Sequence, residues 1–302
     1  MGVCLTKYRV FRAGCVLENE WMGVAECQQQ RSRTLQLLCN MPPFPALGTQ
    51  ALAMAADPGG RIDSLVNVFK SDPGLTADLL RIANSAEFGM QRRIGGIQHA
   101  IVLLGWERVH ALILSVVMGS YVRHFSKRQD AHSVWAHSVA AAVIGETLAE
   151  AYRTDPRRAY AAGLMHEIGR LGLLVSVRER YLEISRMPFE NIDAVNSLEK
   201  SIFGVTHCEA GAFLGRRWSF PEELCDCMNR HHEPASPGVG PLVSLTQLAC
   251  RLATALGFRE VTVRQQLDPA LILPADMRIH RDAEPEQLRS LVTQRLASLC
   301  GA

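Results

Sequence analysis

Five histidines fall in one half of this chain. His137, His166, His207, His231 and His232 lie between residues 131 and 256, each on a predicted helix or at a helix end. Neutral imidazole is a common ligand for zinc, iron and related metals. In a helical bundle such a site is assembled from side chains that converge from different helices. The same residues have a plainer reading, because a single histidine on an apolar helix is commonly a satisfied core residue. His99, His110, His124, His132 and His280 have no obvious company. Other chemistries lack their motifs. Neither GxxxxGK[ST] nor a strand-linked GxGxxG is present, so no phosphate-cradling loop is expected. Ser138 directly follows His137, and adjacent residues on a helix do not face each other, so it is not read as a nucleophile.

The elements that must position these residues are helices. Ile62, Leu65, Val66 and Phe69 recur at i, i+3, i+4 and i+7, the spacing of one helix face. Asp72-Pro73 and Asp155-Pro156 each pair a capping side chain with a proline at the first helical position. Leu75, Leu79, Ile82 and Ala83 continue the first pattern; Ala159 to Leu174 reads as one helix after the second. Pro221 opens another, running to about His232. Val134–Gly145 and Ala159–Leu174 are apolar nearly all round, with His137, His166, Glu167 and Arg170 among the few polar exceptions. A helix without a polar face is buried by its neighbours. Those polar groups therefore meet one another, a metal, water or backbone carbonyls, since an unpaired buried polar group costs roughly 1–3 kcal/mol. Strand alternation is lacking; VRQQL and ALIL near the end are the only short candidates. The class expected is all-α. After Pro269, Pro274 and Pro285 a last helix carries Leu288, Leu291, Val292, Leu296 and Leu299 on one stripe. It is expected to dock on its own chain, with a homodimer or partner surface as the alternative.

Composition narrows the function. The 302 residues are 48% hydrophobic and 21% charged, enough to bury a core. Lys and Arg number 32 against 30 Asp and Glu, a net charge of +2. Nothing in that balance draws the molecule to nucleic acid or an anionic membrane. Arg92-Arg93, Arg157-Arg158 and Arg216-Arg217 read as solvated surface pairs. The nine cysteines (4, 15, 27, 39, 208, 225, 227, 250 and 300) are odd in number, irregularly spaced and without a CxxC pair. They read as reduced thiols of a cytoplasmic protein. Residues 1–33 read as a leader without the apolar core of a secretion signal. The longest apolar stretch, Ala100 to Val122, is interrupted by Glu107, Arg108 and His110, leaving too little to span a bilayer.

The strings LLRIANSAEFG (79–89) and GIQHAIVLLG (96–105), preceded by SDPGLTADLL (71–80), resemble the first half of an HDOD domain. VWAHSVAAA (134–142), AGLMHEIGRLGL (162–173), SIFGVTHCEAGAFLGRRW (201–218) and FPEEL followed by HHEP (220–234) resemble its second half, in the same order. The resemblance runs from about Leu35 to Ala253. It implies an HDOD-type helical bundle with an N-terminal helical subdomain (34–130), a C-terminal HD-like subdomain (131–256) and an extension at 257–302.

HD-superfamily phosphohydrolases hold metal through a histidine on one helix, an adjacent His-Asp pair on another and a later aspartate. HDOD domains are relatives in which this set is often eroded, and they serve as bacterial signalling modules. By that resemblance His137 stands at the first histidine and His166 at the histidine of the pair, but Glu167 replaces the aspartate. Cys250 stands where the last aspartate is expected. His207, His231 and His232 correspond to additional histidines of the related HD-GYP proteins. Asn84 and Ser85 match the family hallmark and are read as structural, since both residue types end helices by bonding nearby backbone. A cysteine can ligate zinc but does not bridge two hard cations as a carboxylate does. The function implied is a regulatory, non-catalytic or weakly metal-binding module. It acts through a kinase, a response regulator or a cyclic-nucleotide-related protein. The alternative is a metal-dependent phosphohydrolase acting on a nucleotide or cyclic dinucleotide with zinc, iron, manganese or magnesium.

Overall fold

The two Asp-Pro pairs start helices as their chemistry requires. Asp72 accepts a hydrogen bond from the Leu75 N–H at 3.0 Å, and Asp155 accepts one from the Arg157 N–H at 2.8 Å. The structure, a computed structural model, describes residues 24–56, 72–125, 128–234, 238–274 and 284–300, with 6–7, 20–21, 66–67, 69 and 236. The expected helix at Ile62–Phe69 lies largely outside these residues, although Val66 and Phe69 are buried.

The architecture is all-α. Helices α1 (Val24–Cys39), α2 (Ala46–Ala56), α3 (Pro73–Ala83), α4 (Ile97–Leu104) and α5 (Trp106–Phe125) come first. Next come α6 (Arg128–Leu148), a short 3-10 turn (Glu150–Tyr152), α7 (Pro156–Met165), α8 (Ile168–Ser176) and α9 (Arg178–Ser185). The chain continues with α10 (Ile192–Phe203), α11 (His207–Arg217), α12 (Glu222–Arg230) and α13 (Pro241–Ala255). Last are α14 (Pro269–Ile272) and α15 (Pro285–Cys300). Thr6–Lys7 pairs antiparallel with Glu20–Trp21, and Phe189 makes an isolated parallel bridge to Val263. Of the two strand candidates, ALIL is thus mostly in α14, and VRQQL contributes that one bridge.

α6 is the central helix, packed on α7, α13 and α15. Val139, Ala140, Ala141, Ala142 and Ile144 are shut from solvent, which is why its sequence lacks a polar face. α5 packs under α2, α3 and α4. An aromatic group joins the halves: Phe44 meets Tyr121, Trp218 and Phe220 at ring separations of 5.3, 6.0 and 5.4 Å. Such pairs add about 0.5–1.5 kcal/mol each beyond their burial. α15 docks on α6 through buried Leu288, Val292 and Leu299. Among the described residues no helix is long and apolar enough to cross a membrane.

Three expectations are corrected. α1 begins at Val24, inside the stretch set aside as a leader, because Thr34 and Leu38 bury one face of an otherwise polar run. The helix opened by Pro221 ends at Arg230, leaving His231 and His232 in the following turn. The single helix expected over Ala159–Leu174 is two helices, broken at His166-Glu167. The break lets α8 lie hard against the start of α11. A Cβ on Gly169 would collide with the His207 carbonyl oxygen, and one on Gly163 would fall 2.6 Å from the Ala141 carbonyl. Only glycine permits both approaches.

Candidate metal centre

The break in the α7–α8 pair puts two adjacent polar side chains inside the bundle. His166 and Glu167 have no exposed surface. His137 reaches them from α6, His207 and Cys208 from the first turn of α11, His231 and His232 from the turn after α12, and Cys250 from α13. A capping box fixes the start of α11: the Glu209 N–H donates to Thr206 Oγ1 at 3.2 Å, and the Thr206 N–H donates to Glu209 Oε2 at 2.9 Å. The His207 N–H donates to Glu199 Oε2 at 2.8 Å. Helix-start donors that would otherwise be unpaired are thereby satisfied.

Four of the histidines share one arrangement. His137 Nδ1 lies 2.7 Å from the Phe258 carbonyl and 3.0 Å from Glu260 Oε2. His166 Nδ1 lies 2.7 Å from the Gly163 carbonyl, His231 Nδ1 2.7 Å from the Met228 carbonyl, and His207 Nδ1 2.7 Å from Glu199 Oε2. Tying Nδ1 to an acceptor fixes the tautomer and leaves Nε2 as a lone-pair donor, as in metal-ligating histidines. These Nε2 atoms converge. Glu167 Oε1 lies 3.5 Å from His231 Nε2, 3.7 Å from His166 Nε2 and 3.9 Å from His232 Nε2; Oε2 lies 3.8 Å from His207 Nε2. Cys250 Sγ lies 3.5 Å from His137 Nε2. His166 Nε2, His232 Nε2 and both Glu167 oxygens have no hydrogen-bond partner.

Beside this group sits a buried cation. The Arg170 guanidinium pairs with Glu167 at 2.7 Å, Glu199 at 3.3 Å and Glu260 at 3.7 Å, and donates to the Tyr181 hydroxyl at 3.2 Å. Burial and the neighbouring imidazoles push His166 and His232 well below the usual histidine range. Against burial and Arg170, Cys208, Glu199 and Glu167 lift His207 to about 9. Against burial, Cys208 and Glu167 also raise His231. Burial would raise the Cys208 thiol, but His207 and His231 bring it down to about 6. Burial likewise opposes ionisation of Glu167, and Arg170 with His207 holds it ionised.

All seven residues singled out from the sequence come together. The donor atoms of His137, His166, Glu167 and Cys250 lie within 4.8 Å of one another; so do those of His207, Cys208, His231 and His232, and those of Glu167, His232 and Glu260. Cys208, Glu199, Glu260 and the role of Arg170 were missed. The string HCE adjoining His207 carried the only local signal, for Cys208; Glu260 falls in a stretch without periodicity. Asn84 is placed elsewhere: it donates to the Leu80 and Ile94 carbonyls at 2.7 and 3.0 Å and accepts from the Ile94 N–H at 2.7 Å. Ser85 meets Ser298 at 2.8 Å. The residues present fit a metal ion: convergent imidazoles with tied Nδ1 atoms, a carboxylate that accepts no hydrogen bond and thiols make a donor set of borderline softness.

The protein is of the all-helical class, a bundle with a buried histidine-rich centre. The chain belongs to the HDOD domain family, which it matches over residues 41–234. It is similar to an HDOD domain protein of unknown function from Geobacter sulfurreducens, 23% identical with a TM-score of 0.71, covering 88% of this chain and 97% of that one. A protein from Marinobacter aquaeolei VT8, provisionally named for signal transduction, is 21% identical with a TM-score of 0.67 over 91% of this chain and 65% of its own. One from Shewanella amazonensis SB2B, provisionally named a metal-dependent phosphohydrolase, is 18% identical with a TM-score of 0.57 over 90% of this chain and all of its own. These likenesses carry the fold. An uncharacterised protein of Treponema pallidum (strain Nichols) is 26% identical over 214 residues, 70% of this chain and 41% of that protein. The chain thus spans about two-fifths of the length of that curated relative.

Proposed function

We propose that this chain is a cytoplasmic signal-transduction module that acts by contact with another protein, its centre being a fixed part of the bundle and not a site of turnover. The sealing of the centre carries this reading. His137, His166, Glu167 and His207 have no exposed surface, His231 and Arg170 have 1%, and His232 alone of the imidazoles keeps a small exposed edge, 8% of its side chain. A cleft of about 350 Å³ reaches the network from outside, but its walls include Arg170, Tyr181 and Glu260 and none of the histidines or cysteines. A phosphodiester in it would meet the Arg170 guanidinium and the Glu260 carboxylate, not the imidazoles or thiols. Glu167 is already engaged by Arg170, and Cys250 stands where a bridging carboxylate would serve a two-ion hydrolase.

His137, His166, Glu167, His207, His231, His232 and Cys250 are the residues that would hold an ion. A divalent ion bound there would supply positive charge among buried carboxylates and thiols. A kinase, a response regulator or a cyclic-nucleotide-related protein is the partner this reading expects, and the name given to the Marinobacter protein supports it. We place the working division at 34–130 for the N-terminal helical part and 131–256 for the HD-like part. The convergent imidazoles favour one second reading, a metal-dependent phosphohydrolase, as the Shewanella relative is named.

One paired assay separates the two. Metal-loaded protein and its His166→Ala variant are given bis(p-nitrophenyl) phosphate and a panel of cyclic dinucleotides. Equal background rates are expected, together with a specific complex when the protein is titrated against purified kinases and receivers. Turnover abolished by His166→Ala would establish the hydrolase instead.

A further inference from the structure

Cys208 has no counterpart among the ligands implied by the family resemblance, yet it lies inside the donor set. Its Sγ is 3.4 Å from His207 Nε2 and 3.8 Å from His231 Nε2. A tetrahedral ion with a metal–sulfur bond of about 2.3 Å and metal–nitrogen bonds of about 2.0–2.1 Å places sulfur and nitrogen roughly 3.6 Å apart. The two observed separations bracket that value. The donor atoms of His207, Cys208, His231 and His232 all lie within 4.8 Å of one another. An independent observation points the same way: His232 Nε2 is buried without a hydrogen-bond partner, in a ring whose centroid is 4.1 Å from that of His231.

We propose that Cys208 is a metal ligand and closes a four-donor shell with His207, His231 and His232 that takes a thiophilic divalent ion of the zinc type. The proposal rests on the reading that the centre holds a metal, and it moves the ion from the Glu167 side to the junction of α11 and the turn after α12. On binding, the sulfur–metal and nitrogen–metal bonds form and the protons shared among Cys208, His207 and His231 leave to solvent, so uptake releases acid. The thiolate leaves the ion with one net positive charge, placed near the ionised Glu167. Four protein donors fill a structural zinc shell and leave no open position for water. Thiolate selects against magnesium and manganese, which prefer oxygen donors. The ion then pins α11 to the end of α12, consistent with a sealed module.

The test uses the full chain loaded with cobalt(II) in place of zinc. A thiolate-to-cobalt charge-transfer band in the near ultraviolet is expected in the parent protein. It is expected to vanish in Cys208→Ser, with at least tenfold weaker zinc affinity, and to persist in Cys250→Ser. X-ray absorption of the zinc form of the unmutated chain needs no variant and is expected to show one sulfur among three nitrogens. Metal bound with no sulfur in its shell would overturn the Cys208 assignment while leaving the centre intact. A band lost in Cys250→Ser but kept in Cys208→Ser would place the ion in the other set and likewise overturn it. No metal bound by the parent protein would end both readings.

Discussion

Two buried arginines, Arg295 on α15 and Arg170 on α8, solve different problems. Arg295 pairs with Glu87 and donates to the Tyr160 hydroxyl at 3.2 Å. Tyr160 meets Ser115 at 2.6 Å, and Ser115 donates to the Ala111 carbonyl at 2.8 Å. One cation faces one close carboxylate, and the donors run in order to a backbone acceptor. The arrangement fastens α15 to the turn after α3, to α7 and, through Tyr160, to α5. Arg170 faces three buried carboxylates, and both its Nε and Nη2 lack hydrogen-bond geometry to them. Its surroundings carry more acid than one guanidinium neutralises. Buried charge must be paired, so that region requires protonated histidines or an ion. A network of one cation, one close carboxylate and hydroxyls reads as structure; a convergent one with three carboxylates and several imidazoles reads as a ligand site.

The comparison breaks most visibly at Arg170. Arg170→Met leaves three carboxylates buried without their cation and is expected to destabilise the chain by about 3–5 kcal/mol in urea unfolding. Added zinc should restore part of the loss. Zinc making no difference to the variant would break the link between the arginine and the metal.

His110 sharpens the contrast among histidines. It is buried outside the centre, with Nε2 2.8 Å from the Ala51 carbonyl. Burial pushes its pKa down to about 4. A histidine depressed in the fold takes up its proton preferentially in the unfolded chain. Its contribution is therefore full above about pH 6.5 and is lost as pH falls through about 4. The window is worth about 3 kcal/mol. His110→Gln, which preserves a donor near Nε2, should flatten the stability profile between these limits without changing metal content. An unchanged acid limb would contradict the assignment.

Arg295→Met gives the smallest of the three effects, roughly 1–3 kcal/mol, since Glu87 is 11% exposed and water reaches it. No rescue by zinc is expected. Thermal melts of both arginine variants with and without zinc decide whether the two regions differ as described.

The sequence makes the helices and the histidines legible, because each depends on local chemistry. Asp72 and Asp155 cap where a short acceptor before proline must cap. The unbroken apolar faces around His137 and His166 mark helices with no solvent side. The helix break at His166-Glu167 is not legible, since the apolar period runs on through it. Only the contact of Gly169 with the His207 backbone decides it. Glu199 and Glu260 are silent for the same reason: each enters the centre from an element whose own pattern says nothing about a site. Cys208 stood beside a candidate histidine, but i and i+1 on a regular helix do not share a face. The first turn of α11, held by its capping box, brings both side chains into one donor set.

The most direct test is the metal content of protein purified without chelator or metal affinity resin, measured by elemental mass spectrometry beside folded His231→Ala. The account predicts one zinc-type ion per chain in the parent protein and near none in the variant. A folded parent protein without metal that takes up none on addition of zinc would contradict it, and the histidines would then be core residues like His110.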